Sequence, residues 1–504
     1  MARRSRVPPV CVSLGFLDPE SLIACAREET EQGNRFLEFR LDHLRNPWEG
    51  LTCIQQLLQK SPLVQILATC RRQEYGGKFR GSVDEQLRIL DSAVEAGARW
   101  VDLEIEVAEQ VPERVAELAS KTQLILSYHD FQSTPALERT FNRMKRLPAT
   151  AYKIATTPRK PSDNWRLLSF ARRHLRSGIV AVGMGELGFC SRLLATAYGS
   201  LYTYAAPTCG PATAPGQPSS RELRQLYRIE QLTRLTKVYG VIGDPIEHSI
   251  SPAVHNHAFQ TCHLDAVYLP FRVLPGQLRD FFALAERLRL SGCSVTIPHK
   301  QKVLRYLDQV DPLACRIGAV NTVWRHRGRW RGTNTDVDGV RGPLQKRIRL
   351  PNAKILIAGN GGAARAAAFA LVDEGAEVFI TARNSERGQQ LARACGARFI
   401  ARENLAQHHF DVVIHATPLG MYPNVDSCFF EDAIPADIVF DMVYNPVETV
   451  LVRRAREQGK VVITGLEMFL EQAARQFEIW TGLSAPRSVM GRAARQALGL
   501  GSGS

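Results

Sequence analysis

A lysine inside an apolar strand pattern is the first residue in this chain whose type and place suggest chemistry. Lys153 lies between Tyr152 and Ile154 in the run Ala151–Ala155. Burying an ammonium group is costly unless it loses its charge or gains a partner. An ordinary lysine, with a pKa of about 10.4, is almost wholly protonated at neutral pH. Desolvation and the arginines Arg40, Arg71 and Arg192 would favour the neutral amine, a nucleophile that forms an imine with a ketone. An anionic substrate would then offset those arginines. His129, in Ser127-Tyr128-His129-Asp130, is the expected proton shuttle, with Glu104 holding its other ring nitrogen. Singly, each residue has a plainer reading: His129 as a capping histidine, Glu38 and Arg40 as an internal ion pair.

A second chemistry lies in Lys354–Arg387, KILIAGNGGAARAAAFALVDEGAEVFITARNSER. An apolar run breaks at Gly359-Asn360-Gly361-Gly362, an alanine-rich helical segment opens at Ala363, and a second apolar run follows at Val378–Thr381. This is the opening strand, turn, helix and strand of a dinucleotide-binding sheet. Gly359 permits the tight turn, Gly361 lets the backbone approach a pyrophosphate, and Ala364 fills the third small position. The helix N-terminus offers free N–H groups to the anion. An NAD site usually carries an acid at the end of the second strand. Here Arg383 and Arg387 stand there and can fork onto a 2′-phosphate, which points to NADP.

The elements that must position these groups follow from apolar periodicity. Eight apolar runs occur before residue 206: Val10–Leu14, Phe36–Leu41, Leu63–Ala68, Trp100–Ile105, Leu124–Tyr128, Ala151–Ala155, Ile179–Met184 and Leu201–Ala205. Helical patterns such as Ser82–Ala96 and Ser162–Leu175 separate them. Strands alternating with helices in this number predict a (β/α)8 barrel, whose chemistry belongs at the C-terminal ends of its strands. The polar residues gathered at those ends are Glu38, Arg40, Arg71, Glu104, His129, Lys153, Arg192, Thr213 and Gln217. The expected domains are a barrel at 8–225, a linker at 226–236 within a helical, basic stretch Ser220–Leu235, and an α/β remainder.

Composition narrows the classes. The 504 residues are 45% hydrophobic and 23% charged, as in a globular protein of roughly three domains. A membrane span needs about 18 consecutive apolar residues, and the chain has no such run. The net charge of +14 is spread without a basic block, which suits anionic small substrates better than nucleic acid. Eleven cysteines without a C-x-x-C pair suggest reduced thiols, no metal site and a cytoplasmic setting. The start, MARRSRVPPV, carries no apolar signal region, which agrees with that setting. Oligomeric state is not legible.

The first half resembles type I 3-dehydroquinate dehydratase over nearly all of residues 8–220. The matching motifs are EFRLD (Glu38–Asp42), CRRQEYGG with Arg71, SYHDF (Ser127–Phe131), YKIA (Tyr152–Ala155), GMGELGFCSR (Gly183–Arg192) and APGQ (Ala214–Gln217). The resemblance implies that Lys153 forms an imine with the ketone of 3-dehydroquinate, and that His129 removes the C2 proton and helps the C1 hydroxyl leave. Glu38, Arg40, Arg71, Arg192, Thr213 and Gln217 would bind the substrate; Thr213 stands where serine is common.

Residues Val238–Leu498 resemble shikimate dehydrogenase. GDPIEHSISPAVHN supplies Ser249 and Ser251, SVTIPHK supplies Thr296 and Lys300, GAVNTV supplies Asn321 and GTNTDVDG supplies Asp336. DMVYNP gives Met442 and Tyr444, and the helix-like run from Thr464 gives Gly465 and Gln472. The resemblance implies a substrate domain at 237–338 plus 465–500 and a Rossmann-type NADP domain at 339–464. Lys300, read as opening a helix, and Asp336 would be catalytic. Ser249, Ser251, Thr296, Asn321, Tyr444 and Gln472 would bind substrate. Met442 and Gly465 would join Gly359, Asn360, Gly361, Gly362, Ala363, Arg383 and Arg387 at the cofactor. Asn360 and His415 stand where alanine and asparagine are usual. Together the two halves imply a bifunctional enzyme using 3-dehydroquinate, 3-dehydroshikimate, shikimate and NADP(H), without metal. A quinate dehydrogenase using NAD, and a regulatory protein built from degraded enzyme domains, are the alternatives.

Overall fold

All eight apolar runs form strands: β1 Val10–Leu14, β2 Phe36–Arg40, β3 Gln65–Thr69, β4 Trp100–Glu104, β5 Gln123–Asp130, β6 Ala151–Thr156, β7 Ile179–Gly183 and β8 Thr203–Ala205. The structure is a computed structural model describing residues 7–430 and 433–500. Its main division falls between Thr236 and Lys237. In the first unit the eight strands form one sheet in the order β7-β6-β5-β4-β3-β2-β1-β8. Between β7 and β8 the seam is held by Leu201 N–H donating to Ile179 O at 2.8 Å and Ala181 N–H donating to Ser200 Oγ at 3.1 Å. The result is a (β/α)8 barrel.

Strand alternation sorts its interior into layers. An apolar floor contains Cys11, Phe36, Leu67, Trp100, Ile125, Ala151, Val180 and Tyr202. Two residues further along each strand the pattern gives Ser13, Glu38, Thr69, Asp102, Ser127, Lys153, Val182 and Tyr204, all buried. The chemical layer is therefore set by register alone. Outside, Ser82 caps the helix Val83–Glu95 by accepting the Glu85 N–H, and Pro161 opens the helix to Arg173. The expected helix at Ser220–Leu235 is cut short: one π-helical turn spans Glu222–Leu226, and Arg228 then takes a positive φ of 49° that breaks it.

The second unit holds two sheets. In one, β9 Lys237–Gly243, β10 Ala266–Arg272, β11 Gly292–Val295, β12 Gln309–Val310, β13 Thr322–His326 and β14 Arg329–Thr333 run in the order β10-β9-β11-β13-β14-β12. The helices Ser251–Thr261, Gly465–Thr481 and Arg487–Ala497 share an apolar cluster with β9 and β10 through Val254, Phe259, Phe469, Phe477 and Met490. In the other sheet, β15 Lys354–Ala358, β16 Glu377–Thr381, β17 Arg398–Phe399, β18 Phe410–His415, β19 Ala436–Asp441 and β20 Val461–Ile463 are parallel in the order β17-β16-β15-β18-β19-β20. That is the doubly wound dinucleotide order, with its reversal between β15 and β18.

One expectation about cysteines fails. Cys25 and Cys209 form a disulfide across 184 residues of sequence, while nine other cysteines are free. The pairing of β1 with β8 brings the helix Pro19–Glu31 beside the segment after β8, a proximity that no local spacing announces. Replacing both cysteines by serine is expected to lower the barrel's unfolding free energy by about 2–4 kcal/mol, seen as a lower urea midpoint. Reductant should move the parent chain to the same midpoint.

Candidate active sites

The barrel site is built on a carboxylate that motif reading passed over. Asp102, on β4, is 1% exposed and accepts from three groups: Arg71 at 2.6 Å, Ser127 Oγ at 2.6 Å and Lys153 Nζ at 3.2 Å. Burial pushes the Asp102 carboxyl upward, but Arg71 and then Lys153 and His129 pull it well below the usual range. Lys153 Nζ also lies 4.3 Å from the centre of the Tyr204 ring. The alternation Trp100, Asp102, Glu104 was the available signal for this residue.

Around that pair stand the other expected groups. Glu38 accepts from Thr69 Oγ1 at 2.8 Å and from Ser13 Oγ. Thr213 Oγ1 lies 2.9 Å from Ser13 Oγ and 3.1 Å from Gln217 Oε1, so these ligands form one chain across β1, β2, β3 and the loop after β8. Arg40 does not pair with Glu38; it forks onto Asp42 at 2.9 and 2.8 Å. Arg192 is 2% exposed and donates its Nε–H to Gly183 O at 2.7 Å. Burial lowers its pKa to about 10, and no carboxylate among the described residues lies within ion-pair reach. A buried guanidinium in that state is a seat for an anionic ligand.

His129 differs from expectation. Its Nδ1 lies 3.1 Å from Arg71 Nη1, and Glu104 is spent elsewhere, accepting the Arg72 N–H and the Gln86 amide at 2.8 Å each. Glu104 therefore shapes the segment after β3 and makes no hydrogen bond to the His129 ring. Burial, then Arg71 and Lys153, hold His129 well below the ordinary histidine pKa, so the ring is neutral at pH 7.

In the second unit Lys300 Nζ donates to Asp336 Oδ2 at 2.5 Å, with the two side chains 18% and 6% exposed. Lys300 lies in a turn, not at a helix start; the next helical turn begins at Lys302. Asn321 spends its amide on this pair, donating to Asp336 Oδ1 at 2.7 Å and accepting the Thr335 N–H at 2.8 Å. Gln476, not singled out from sequence, holds the surrounding strands by bonding Ser294 Oγ at 2.7 Å and Thr322 Oγ1 at 3.1 Å. Ser249 Oγ accepts the Ser251 N–H at 3.3 Å, and Gln472 donates to Phe469 O at 3.0 Å. Thr296 follows β11, and burial raises the Tyr444 hydroxyl to about 12.

The glycine turn adjoins this pair. A Cβ on Gly362 would come 3.3 Å from Lys300 Cδ, whereas one on Gly361 would meet nothing within 4 Å. Gly359 has φ +130° and abuts the Ala416 carbonyl, so only glycine suits it. Gly361 caps the helix Gly362–Asp373, with Asn360 before it and Ala363 in its first turn. Arg383 and Arg387 are exposed and carry no side-chain partner among the described residues. Gly465 is explained by packing: a Cβ there would strike Val443 O at 2.4 Å and Met442 O at 2.6 Å. An open turn backed by a helix N-terminus, with two free arginines beyond β16, fits a phosphorylated dinucleotide.

Comparison with known proteins agrees with both halves. Residues 10–234 match the family model for type I 3-dehydroquinase. Residues 241–323 match the shikimate dehydrogenase substrate binding domain, 344–422 shikimate / quinate 5-dehydrogenase, and 465–495 the shikimate 5′-dehydrogenase C-terminal domain. The chloroplastic bifunctional 3-dehydroquinate dehydratase/shikimate dehydrogenase of Arabidopsis thaliana is 35% identical over 91% of this chain and 79% of its own length. The chain belongs to this bifunctional family. The shikimate biosynthesis protein AroDE of Chlamydia pneumoniae is 33% identical over 78% of this chain and 80% of its own. A shikimate dehydrogenase solved with NADP+ superposes with a TM-score of 0.50 at 38% identity, over 53% of this chain and 98% of that one. As a member of the family, the chain is a lyase and an NADP-dependent oxidoreductase: it dehydrates 3-dehydroquinate through a lysine imine and reduces 3-dehydroshikimate to shikimate.

The Asp102 cluster yields a stability prediction. Asp102→Asn leaves Lys153 and Arg71 buried without their carboxylate, so this bifunctional chain should lose about 3–5 kcal/mol of barrel stability at pH 7. Because Asp102 is depressed in the fold, its contribution is full above its unfolded pKa of about 3.9 and fades as pH falls toward the folded value. Unfolding free energies of parent and variant should therefore begin to approach each other below about pH 4 and draw together as the pH falls further.

Proposed function

We propose that Lys153 and His129 carry the dehydration and that Lys300 and Asp336 carry the reduction. The observation supporting this most strongly is that each lysine is held by an aspartate beside groups that remain free for ligand: Arg192 in the barrel and the open glycine turn in the second unit.

In the barrel, Arg192 takes the substrate carboxylate, and Glu38, Arg40, Thr213 and Gln217 take its hydroxyls. Lys153, once deprotonated, adds to the ketone, and loss of water gives the imine. His129 removes the C2 proton and returns it to the C1 hydroxyl, which leaves as water; hydrolysis then frees 3-dehydroshikimate and the amine. In the free site the Arg71 guanidinium, which only donates, faces Nδ1 of His129. Recruitment of Arg71 by substrate releases that nitrogen to act as base. Asp102 keeps the lysine aimed inward throughout.

In the second unit the ring of 3-dehydroshikimate lies among Ser249, Ser251, Thr296, Tyr444 and Gln472, with Asn321 acting through Asp336. NADPH, when bound, supplies the hydride. Lys300 gives the proton to the new hydroxyl and steadies the developing oxyanion, and Asp336 orients it. Gly359 to Ala363 seat the pyrophosphate, Arg383 and Arg387 the 2′-phosphate, and Met442 and Gly465 border the nicotinamide end. The domain limits 8–225, 237–338 plus 465–500, and 339–464 belong to the same reading. So does residence in the cytoplasm, which the nine free thiols favour and the Cys25–Cys209 disulfide opposes; the Arabidopsis relative is chloroplastic by name. No helix among the described residues is long and apolar enough to cross a membrane.

Borohydride added with 3-dehydroquinate should leave a covalent adduct on the peptide containing Lys153, located by mass spectrometry; label on another residue would refute the assignment. Lys300→Ala should lower the dehydrogenase kcat by about 10²–10⁴, the usual worth of a positioned proton donor, with a smaller change in the KM for shikimate. An unchanged kcat would remove Lys300 from proton transfer.

A further inference from the structure

Register pairs Ala358 of β15 with His415 of β18, so His415 ends its strand opposite the glycine turn, where the sheet order reverses. The side chain is 1% exposed and bonded on both ring nitrogens. Nδ1 lies 2.9 Å from Asp441 Oδ1, and Nε2 faces Thr417 Oγ1. Asp441 also accepts the Val443 N–H at 3.0 Å and the Thr449 hydroxyl at 2.6 Å. A carboxylate only accepts, so Nδ1 donates to it, and in the tautomer protonated at Nδ1 the Nε2 accepts a hydrogen bond from the Thr417 hydroxyl. Thr417 Oγ1 in turn accepts the Leu419 N–H at 3.3 Å, curling the segment 416–421.

That segment is pressed against the cofactor turn. Ala416 N–H donates to Ala358 O at 2.9 Å, Met442 N–H donates to His415 O at 3.0 Å, and a Cβ on Gly359 would fall 2.7 Å from Ala416 O. Further along, the Tyr422 ring stacks on His248 with centroids 6.0 Å apart, next to Ser249. One short segment thus runs from the glycine turn to the substrate loop, and a buried histidine fixes its origin.

We propose that His415 is a positioning residue of the dehydrogenase, setting through Thr417 the wall of the crevice between β15 and β18 against which the dinucleotide is bound. The ring itself stays buried and meets no ligand. The inference rests on that crevice being the NADP site. A histidine serving only to fill the core would tolerate loss of Thr417, whereas a positioning histidine would not.

The test uses full-length H415A, T417V, H415Q and the H415A/T417V double variant. NADP+ affinity is read by fluorescence titration, amide exchange at 416–421 without cofactor, and both half-reactions in steady state. The NADP+ Kd and the KM for NADPH should rise about tenfold or more in H415A and T417V, with dehydratase kcat unchanged within about twofold. Amides 416–421 should exchange faster, H415Q should recover part of the affinity, and the double variant should be no weaker than H415A because both residues act in one chain. Normal NADP+ affinity in T417V, or additive losses in the double variant, would overturn the proposal. If the parent chain itself fails to bind NADP+, the reading of the crevice falls first.

Discussion

A buried ammonium is costly without a partner, and much of this chain is arranged around two lysine–aspartate pairs. In the barrel the interaction is Lys153 with Asp102; in the second unit it is Lys300 with Asp336. The settings differ in a way that suits the chemistry. Lys153 is 8% exposed and sits over an apolar floor, where an amine can reach carbon away from bulk water. Lys300 is more open and borders the glycine turn, where an ammonium can pass a proton beside a bound cofactor. The surrounding polar groups are subordinate. Arg71 and Ser127 complete the coordination of Asp102, and Asn321 completes that of Asp336.

Strand register turns this requirement into architecture. Side chains two residues apart on a strand share a face, so an apolar residue at the barrel floor places its successor in the buried, largely polar layer above it. Phe36 leads to Glu38 and Arg40, Trp100 to Asp102, Ile125 to Ser127 and His129, and Ala151 to Lys153. In the parallel sheet the same economy holds at the reversal point. β15 ends in the glycine turn and β18 ends in His415, so adjacent strand ends face one crevice.

Most of the fold was legible for that reason. Eight apolar runs became eight barrel strands with ends shifted by a few residues at most, and the glycine segment became the strand, turn and helix it resembled. The misreadings share a cause: they concern contacts that local pattern does not encode. The Cys25–Cys209 bond depends on barrel closure, and the break at Arg228 depends on a single left-handed residue. Glu104 and His129 both lie at strand ends, yet the Glu104 oxygens are claimed by Arg72 and Gln86. Asp102 was passed over although alternation placed it beside Lys153; a carboxylate inside an apolar strand carries the same warning as a lysine.

The two reactions share one molecule, 3-dehydroshikimate, which is the product of the first site and the substrate of the second. A crystal structure of the full chain grown with 3-dehydroshikimate and NADP+ therefore interrogates both lysines at once. The account predicts continuous density from Lys153 Nζ to the ketone carbon in the barrel, with Asp102 still beside it. In the second unit it predicts the ketone oxygen within about 3 Å of Lys300 Nζ. A ligand bound away from the Asp102 layer, or a ketone turned from Lys300, would contradict it.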